Sequence, residues 1–257
     1  MSFLVISSYL IQHPVLTALL IAHFLSDFTF QSQALADAKK LHLKALFMHL
    51  FIVSLPLLIL ALLTPVQNGD LFFQVWLSHL AIDYVKYFLN KHHWIKDSWE
   101  AGAFLVDQLL HIISIIILYH IIGVNIASHS LWIEPNYLLL QILFILLISK
   151  PVNILFKLYF SKYQVVEGEE EQTVTGAGAL IGQLERLIMG IFLLLGQYTA
   201  IGLVFTAKSI ARYDKISKSQ AFAEYYLIGS LFSIISVLVL YVLLLSLISI
   251  SAPTRRS

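Results

Sequence analysis

Three histidine–aspartate pairs stand four residues apart within apolar stretches of the chain: His23/Asp27, His79/Asp83 and Asp107/His111. On a helix, a spacing of i, i+4 puts both side chains of a pair on one face. A fourth apolar stretch carries His49. An ionisable group at the centre of a membrane helix costs roughly 2.5–3.5 kcal/mol on insertion scales, so such groups face a bundle interior and mark function. Neutral imidazole and carboxylate suit zinc, manganese or iron, and pairs on several helices are how buried di-metal carboxylate sites are assembled. His23, Asp27, His49, His79, Asp83, Asp107 and His111 are therefore the candidate metal ligands. They outnumber the needs of one ion, so either two ions bind or one of Asp27, Asp83 and Asp107 serves as catalytic base to a metal-bound water. Gln31 and Gln108 are placed to orient ligands. Lys86, one turn after Asp83, would neutralise a carboxylate or bind a phosphate, and Ser114 continues the face of Asp107 and His111. Two other readings use the same residues: hydrogen-bond pairing between helices, worth ~0.6–2 kcal/mol per pair, and a proton relay.

Composition states where these residues must sit. Apolar residues make up 59% of the 257 and charged residues 12%, against ~25% charged in a soluble domain. Stretches of about 20 apolar residues, enough to span a bilayer, recur along the chain. The fold class that follows is an all-α polytopic transmembrane bundle of about seven spans: Pro14–Phe30, Ala45–Leu63, Leu71–Leu89, Ala101–Gly123, Tyr137–Phe160, Leu184–Thr206 and Tyr225–Ile250. Thr64-Pro65, Asn68-Gly69-Asp70 and Glu134-Pro135-Asn136 mark turns, and Lys150-Pro151 predicts a kink inside the fifth span. The acidic stretch with Glu167, Glu169, Glu170 and Glu171 divides the chain into an N-terminal bundle (1–163), a hydrophilic loop (164–178) and a C-terminal two-helix region (179–257). A net charge of +1 leaves no footprint for nucleic acid. The absence of cysteine excludes disulfides and thiolate metal sites. Met1 to Ile11 has neither a basic n-region nor a small-residue cleavage site and reads as retained.

Basic residues orient the spans. Lys39, Lys40 and Lys44 follow the first span, and Lys91 and Lys96 the third, whereas the loops after the second and fourth carry no Lys or Arg. Spans one and three therefore end in the cytoplasm, as expected of a multi-pass protein of a bacterial inner membrane. Lys157 and Lys162 fit the alternation; Lys208, Arg212, Lys215 and Lys218 break it. Either the sixth span is a re-entrant pair broken near Gly196-Gln197, or the rule fails there. Counted inward from the cytoplasmic ends at ~1.5 Å per residue, the aspartates form a layer roughly 5–9 Å deep and His23, His79 and His111 a layer roughly 10–15 Å deep. The order of His and Asp reverses where the chain reverses, as one shared site opening toward the cytoplasm requires.

In the C-terminal region, Glu185, Arg186, Lys208, Arg212 and Glu224 read as snorkelling charges at one membrane face. The functional alternative is a headgroup or phosphate site of Arg186, Lys208 and Arg212.

The run His23-Phe24-Leu25-Ser26-Asp27-Phe28-Thr29-Phe30-Gln31, His49, the run His79 to Lys86, and Asp107-Gln108-Leu109-Leu110-His111 resemble the bacterial membrane proteins of domain-of-unknown-function family 3307. The likeness covers the first ~120 residues, and Ile181 to Gly229 is similar to the extension of longer members. It implies that the His/Asp set is one unit and implies no activity. The leading expectation is a metal-dependent hydrolase or transferase acting on a lipid or isoprenoid phosphate. A proton- or cation-coupled transporter, or a structural or regulatory subunit, is the alternative; the lack of an internal repeat favours the enzyme over the transporter.

Overall fold

The computed structural model describes residues 3–64, 69–123, 137–164 and 176–251. The acidic residues Glu167, Glu169, Glu170 and Glu171, and the turn residues Pro65, Asn68 and Glu134 to Asn136, lie outside the described residues. Among those described there is no strand. The order is α1 (Phe3–Gln12), α2 (Pro14–Phe24), α3 (Gln33–Ala38), α4 (Leu43–Leu63), α5 (Gly69–Lys91), α6 (Glu100–Leu118), α7 (Tyr137–Ile148), α8 (Lys150–Phe160), α9 (Ala177–Leu194), α10 (Tyr198–Ala211), α11 (Tyr213–Lys218) and α12 (Gln220–Ser251). Contacts divide the chain into two compact units, 1–146 and 147–257.

The first unit is polar inside and apolar outside. On α4, Leu46, His49, Leu50, Val53 and Leu57 are buried at helical spacing, while Phe47, Met48, Phe51, Leu58 and Leu62 are exposed. The same inversion holds on α5, which buries His79, Asp83 and Tyr87 and exposes Phe73, Leu77, Val85 and Phe88. An apolar surface of that extent on a helix bundle fits lipid rather than water. Every residue of α2 is buried, and α2 packs against α4 and α6, so it is the central helix of the unit. Its entry is set by Pro14 at the first turn, where a missing N–H costs no hydrogen bond. The chain bends there by 103° from α1. His13 and His120, at this far end, bind Tyr119 (2.9 Å) and Tyr9 (2.6 Å). They take no part in the aspartate cluster. After Phe24 the helix continues as a π-helical turn, Leu25–Phe30, which carries Asp27. Such turns are rare and gather at functional sites.

The second unit is organised by a buried arginine. Pro151 has no N–H to donate and breaks the apolar stretch at Ser149, between α7 and α8, as the sequence predicts. The carbonyls of Ile148 and Ser149 accept hydrogen bonds from Arg186 Nε (2.7 Å) and Nη2 (3.2 Å). Asn153 Oδ1 also accepts from Nη2, Ser233 Oγ accepts from Nη1 at 3.4 Å, and Asn153 Nδ2 donates to Ala179 O. Arg186, 2% exposed, thus ties α8 and α12 to α9.

The expected sixth span, Leu184–Thr206, is not one helix. Gly196 adopts φ +69°, a conformation that suits glycine. Its N–H bonds Leu193 O, and the Gln197 N–H bonds Phe192 O, which closes the end of α9. The chain then turns back as α10, and Lys208 Nζ reaches Glu185 Oε2 at 2.8 Å and Ser230 Oγ at 3.1 Å. The α9–α10 hairpin carries Lys208 back alongside Glu185 on α9, so the chain takes the broken alternative for the sixth span, with the break at Gly196-Gln197. The span count changes accordingly. Among the described residues, five helices are long and apolar enough to cross a membrane, or six with the bent α1–α2 pair. The 23-residue α5, whose polar residues include Gln74, Ser78, His79, Asp83 and Lys86, is too polar on average to be counted in this set.

Two outcomes follow. Single cysteines at Ser161 and Ser217 should react with an impermeant thiol reagent from one side of a sealed vesicle, and a cysteine at Gln197 from the other. Arg186→Leu should lower stability by about 1–3 kcal/mol for each carbonyl left unpaired in the interior. Arg186→Lys should restore little of it in a detergent melt, because an ammonium lacks the planar fork.

Candidate functional site

Four helices of the first unit direct polar side chains at one another. The π-helical turn after α2 supplies Asp27, α4 supplies His49, α5 supplies His79 and Asp83, and α2 and α6 add His23, Asp107 and His111. All seven are buried. Two carboxylates gather around two imidazole nitrogens. His49 Nε2 and His79 Nε2 are 3.1 Å apart. Asp83 Oδ2 lies 3.2 Å from the first and 3.5 Å from the second. Asp27 Oδ1 lies 3.4 Å from each but makes no hydrogen bond to either. Two ligand triads meet the spacing for a cation, His49/His79/Asp83 and His23/Asp27/His79.

Hydrogen bonding to carbonyl oxygens, which only accept, decides two tautomers. His111 Nδ1 lies 2.8 Å from Asp107 O and must carry the proton, so neutral His111 presents a lone pair at Nε2. His23 Nε2 lies 3.2 Å from Gln108 Oε1 and donates to it, which leaves the lone pair on Nδ1. Gln108 Nε2 donates to Asp27 Oδ2 (3.4 Å) and Asp107 Oδ2 (3.2 Å), so the amide orientation agrees with both. His23 Nδ1 and His111 Nε2 are buried without a hydrogen-bond partner, as are Asp27 Oδ1, His49 Nδ1, Asp107 Oδ1 and Gln31 Oε1. Roughly 90% or more of buried polar groups are bonded in proteins. Six unbonded atoms in one cluster and on its border fit donors that await a cation. Imidazole anchored through Nδ1–H to a carbonyl, with Nε2 free, is how metal-ligating histidines are oriented.

Two lysines balance the carboxylates. Lys86 Nζ lies 2.6 Å from Asp107 Oδ2. Lys39 had no place in the sequence-derived site. It follows the short surface helix α3, turns inward, and sets Nζ 3.3 Å from Asp83 Oδ2 and 3.5 Å from Oδ1. Burial opposes its charge, but Asp83, Asp27 and Asp107 outweigh that cost and hold Lys39 above the ordinary lysine value. Sequence depth puts Asp83 near the surface that Lys39, Lys40 and Lys44 mark but does not tell these lysines apart. Gln31 ends the π-helical turn at the border of the cluster. Ser114 does not contact a candidate ligand's side chain: its Oγ donates to His111 O (2.8 Å) and faces Ser78 Oγ at 3.5 Å.

On the side of the histidines away from the carboxylates, a cavity opens among α2, α4, α5 and α6. Leu19, Val53, Leu57, Val75 and Ile115 form its apolar wall, and His23, His79 and His111 its polar end. The site is thus charged toward the lysines and oily toward the membrane core.

The three residues of the alternative headgroup or phosphate site, Arg186, Lys208 and Arg212, have different surroundings. Arg186 is enclosed by carbonyls and amide oxygen, Lys208 is paired with Glu185, and Arg212 sits at the end of α10. The physical reason is the broken helix: its bare carbonyls bind the guanidinium inside the unit.

Lys86→Met should leave Asp107 charged, buried and unpaired. Stability should fall by an amount near the lower end of the ~3–5 kcal/mol seen for broken buried pairs, because Lys86 keeps some access to water. The double substitution with Asp107→Asn should recover most of it in the same melt.

No curated protein and no solved structure matched the chain. Residues 15–140, which hold all four helices of the cluster, matched the family described as protein of unknown function DUF3307. That N-terminal segment is thus similar to domain-of-unknown-function family 3307.

Proposed function

We propose that this protein is an intramembrane metal-dependent hydrolase or transferase that acts on a lipid or isoprenoid phosphate in a bacterial inner membrane. The observation that carries the reading is the triangle of His49 Nε2, His79 Nε2 and Asp83 Oδ2, with edges of 3.1, 3.2 and 3.5 Å. A tetrahedron with zinc bonds of ~2.0–2.1 Å has edges of about 3.3 Å. Three protein ligands leave the fourth position for water or substrate, the pattern of catalytic zinc. Asp27 Oδ1, 3.4 Å from the same two nitrogens, is placed to take a proton from an ion-bound water. The buried lone pairs of His23 and His111 support the metal reading over plain pairing between helices, which would leave both nitrogens bonded. The cavity beyond the histidines is apolar but has room for about one water, so the apolar part of a lipid substrate would lie in the bilayer, with its phosphate toward the lysines.

Purified wild type in detergent should carry stoichiometric zinc, manganese or iron. His79→Ala and Asp83→Ala should lose it while still inserting in the membrane. Chelator should lower the melting temperature of wild type, since an ion bound only to the folded state stabilises that state by mass action, and should leave the variants unchanged. Wild type that holds no ion, gains no stability from added metal and melts normally in chelator would sink this reading, and proton coupling or structural pairing would replace it.

A further inference from the structure

The two lysines of the site differ in how firmly they are held. Lys86 sits 2.6 Å from Asp107, at or below the ~2.7–2.9 Å of a strong charge-assisted bond. Lys39 stands off at 3.3 and 3.5 Å from the two oxygens of Asp83. The oxygen it approaches more closely, Oδ2, is the one that closes the triangle with His49 and His79. A divalent ion in that triangle and the Lys39 ammonium therefore compete for one oxygen, and like charges a few ångströms apart repel. The main chain at Lys39 is fixed: its N–H bonds Leu35 O at 2.9 Å, and neighbouring Lys40 pairs with Glu100 at 2.8 Å and Asp37 at 3.4 Å. The four-carbon stem is the part free to move, and it keeps the ammonium near the mouth of the cluster. Charge points the same way. Asp27, Asp83 and Asp107 against Lys39 and Lys86 leave one negative charge; a divalent ion turns this into one positive charge, which an anion would complete.

Resting on the proposed metal reading, we propose that Lys39 is the substrate-anion-binding residue of the ion-loaded site. The bound ion takes Asp83 Oδ2, Lys39 is released from it, and the ammonium receives an oxygen of a phosphate whose other oxygen lies on the ion. Oriented cations at the charge of a phosphoryl group are the recurring device for binding and activating it. Lys39 is thus the residue that makes the site specific for a phosphate rather than for a neutral lipid.

Opposite signs test this. Full-length protein in detergent would be titrated with zinc, and then, zinc-loaded, with inorganic phosphate and with a short-chain phosphatidic acid. Lys39→Met should bind zinc several-fold more tightly, because a competing charge is gone. It should bind both phosphates about 10- to 100-fold more weakly, the loss expected of one hydrogen bond to a charged group. Lys39→Arg should retain phosphate binding, and Lys40→Met should change neither titration. Tighter binding of the phosphatidic acid assigns the phosphate to a lipid headgroup, and equal binding assigns it to a soluble phosphate; each supports the proposal when it depends on Lys39. Zinc-loaded wild type that binds neither phosphate, or Lys39→Met that binds them as wild type does, overturns it. So does a loss of zinc and phosphate together in Lys39→Met, which marks a structural lysine. Wild type that holds no zinc is a different result and overturns the metal reading itself.

Discussion

A carboxylate cannot be left charged in the interior of an apolar bundle without a partner, and three of them lie in the first unit. Their compensation organises the helices around them. Asp107 is matched by Lys86 on the neighbouring α5, and Asp83 by Lys39 from the surface helix α3. Asp27 has the nitrogens of His49 and His79 and the amide of Gln108. Each compensation crosses between elements, so the charges set how α2, α4, α5 and α6 face one another while the outward apolar residues meet lipid.

Gln108 is the link that makes the cluster one unit. Its carbonyl accepts from His23, and its amide donates to Asp27 and Asp107. That single side chain fixes a histidine tautomer and two carboxylate orientations on three segments. The resulting lone pairs point inward, which is the arrangement a cation site needs and a hydrogen-bonded core does not. Substitution of Gln108 would disturb ligands from both ends of the matched segment at once.

The second unit solves a related problem with opposite charge. A proline-broken helix leaves bare carbonyls, and Arg186 supplies the donors. Here a buried cation is neutralised by backbone dipoles instead of a carboxylate, and the result is structural. The first unit keeps unbonded polar atoms; in the second, the guanidinium meets acceptors on α8, α12 and the break itself.

The sequence by itself determined that the chain is a helical membrane protein and that His23, Asp27, His49, His79, Asp83, Asp107 and His111 lie in adjacent layers toward one end of their helices. Both follow from one-dimensional quantities, apolar length and i, i+4 spacing, and the structure places all seven residues in one cluster. The proline break after Ile148 was equally legible, because a missing N–H acts locally. Tertiary structure decided the rest. Which nitrogen faces which oxygen depends on helix rotation and on a π-helical turn that no spacing announces. Lys39 enters from a surface loop because its stem is long enough to reach Asp83, and composition reads such a lysine only as an orientation signal. Arg186 read as a snorkelling charge, with a headgroup ligand as the alternative, because its partners are main-chain carbonyls, which every residue has and no sequence distinguishes. The same holds for the turn at Gly196: glycine permits φ > 0 but does not require it, and the hairpin exists because Glu185 and Lys208 pair across it.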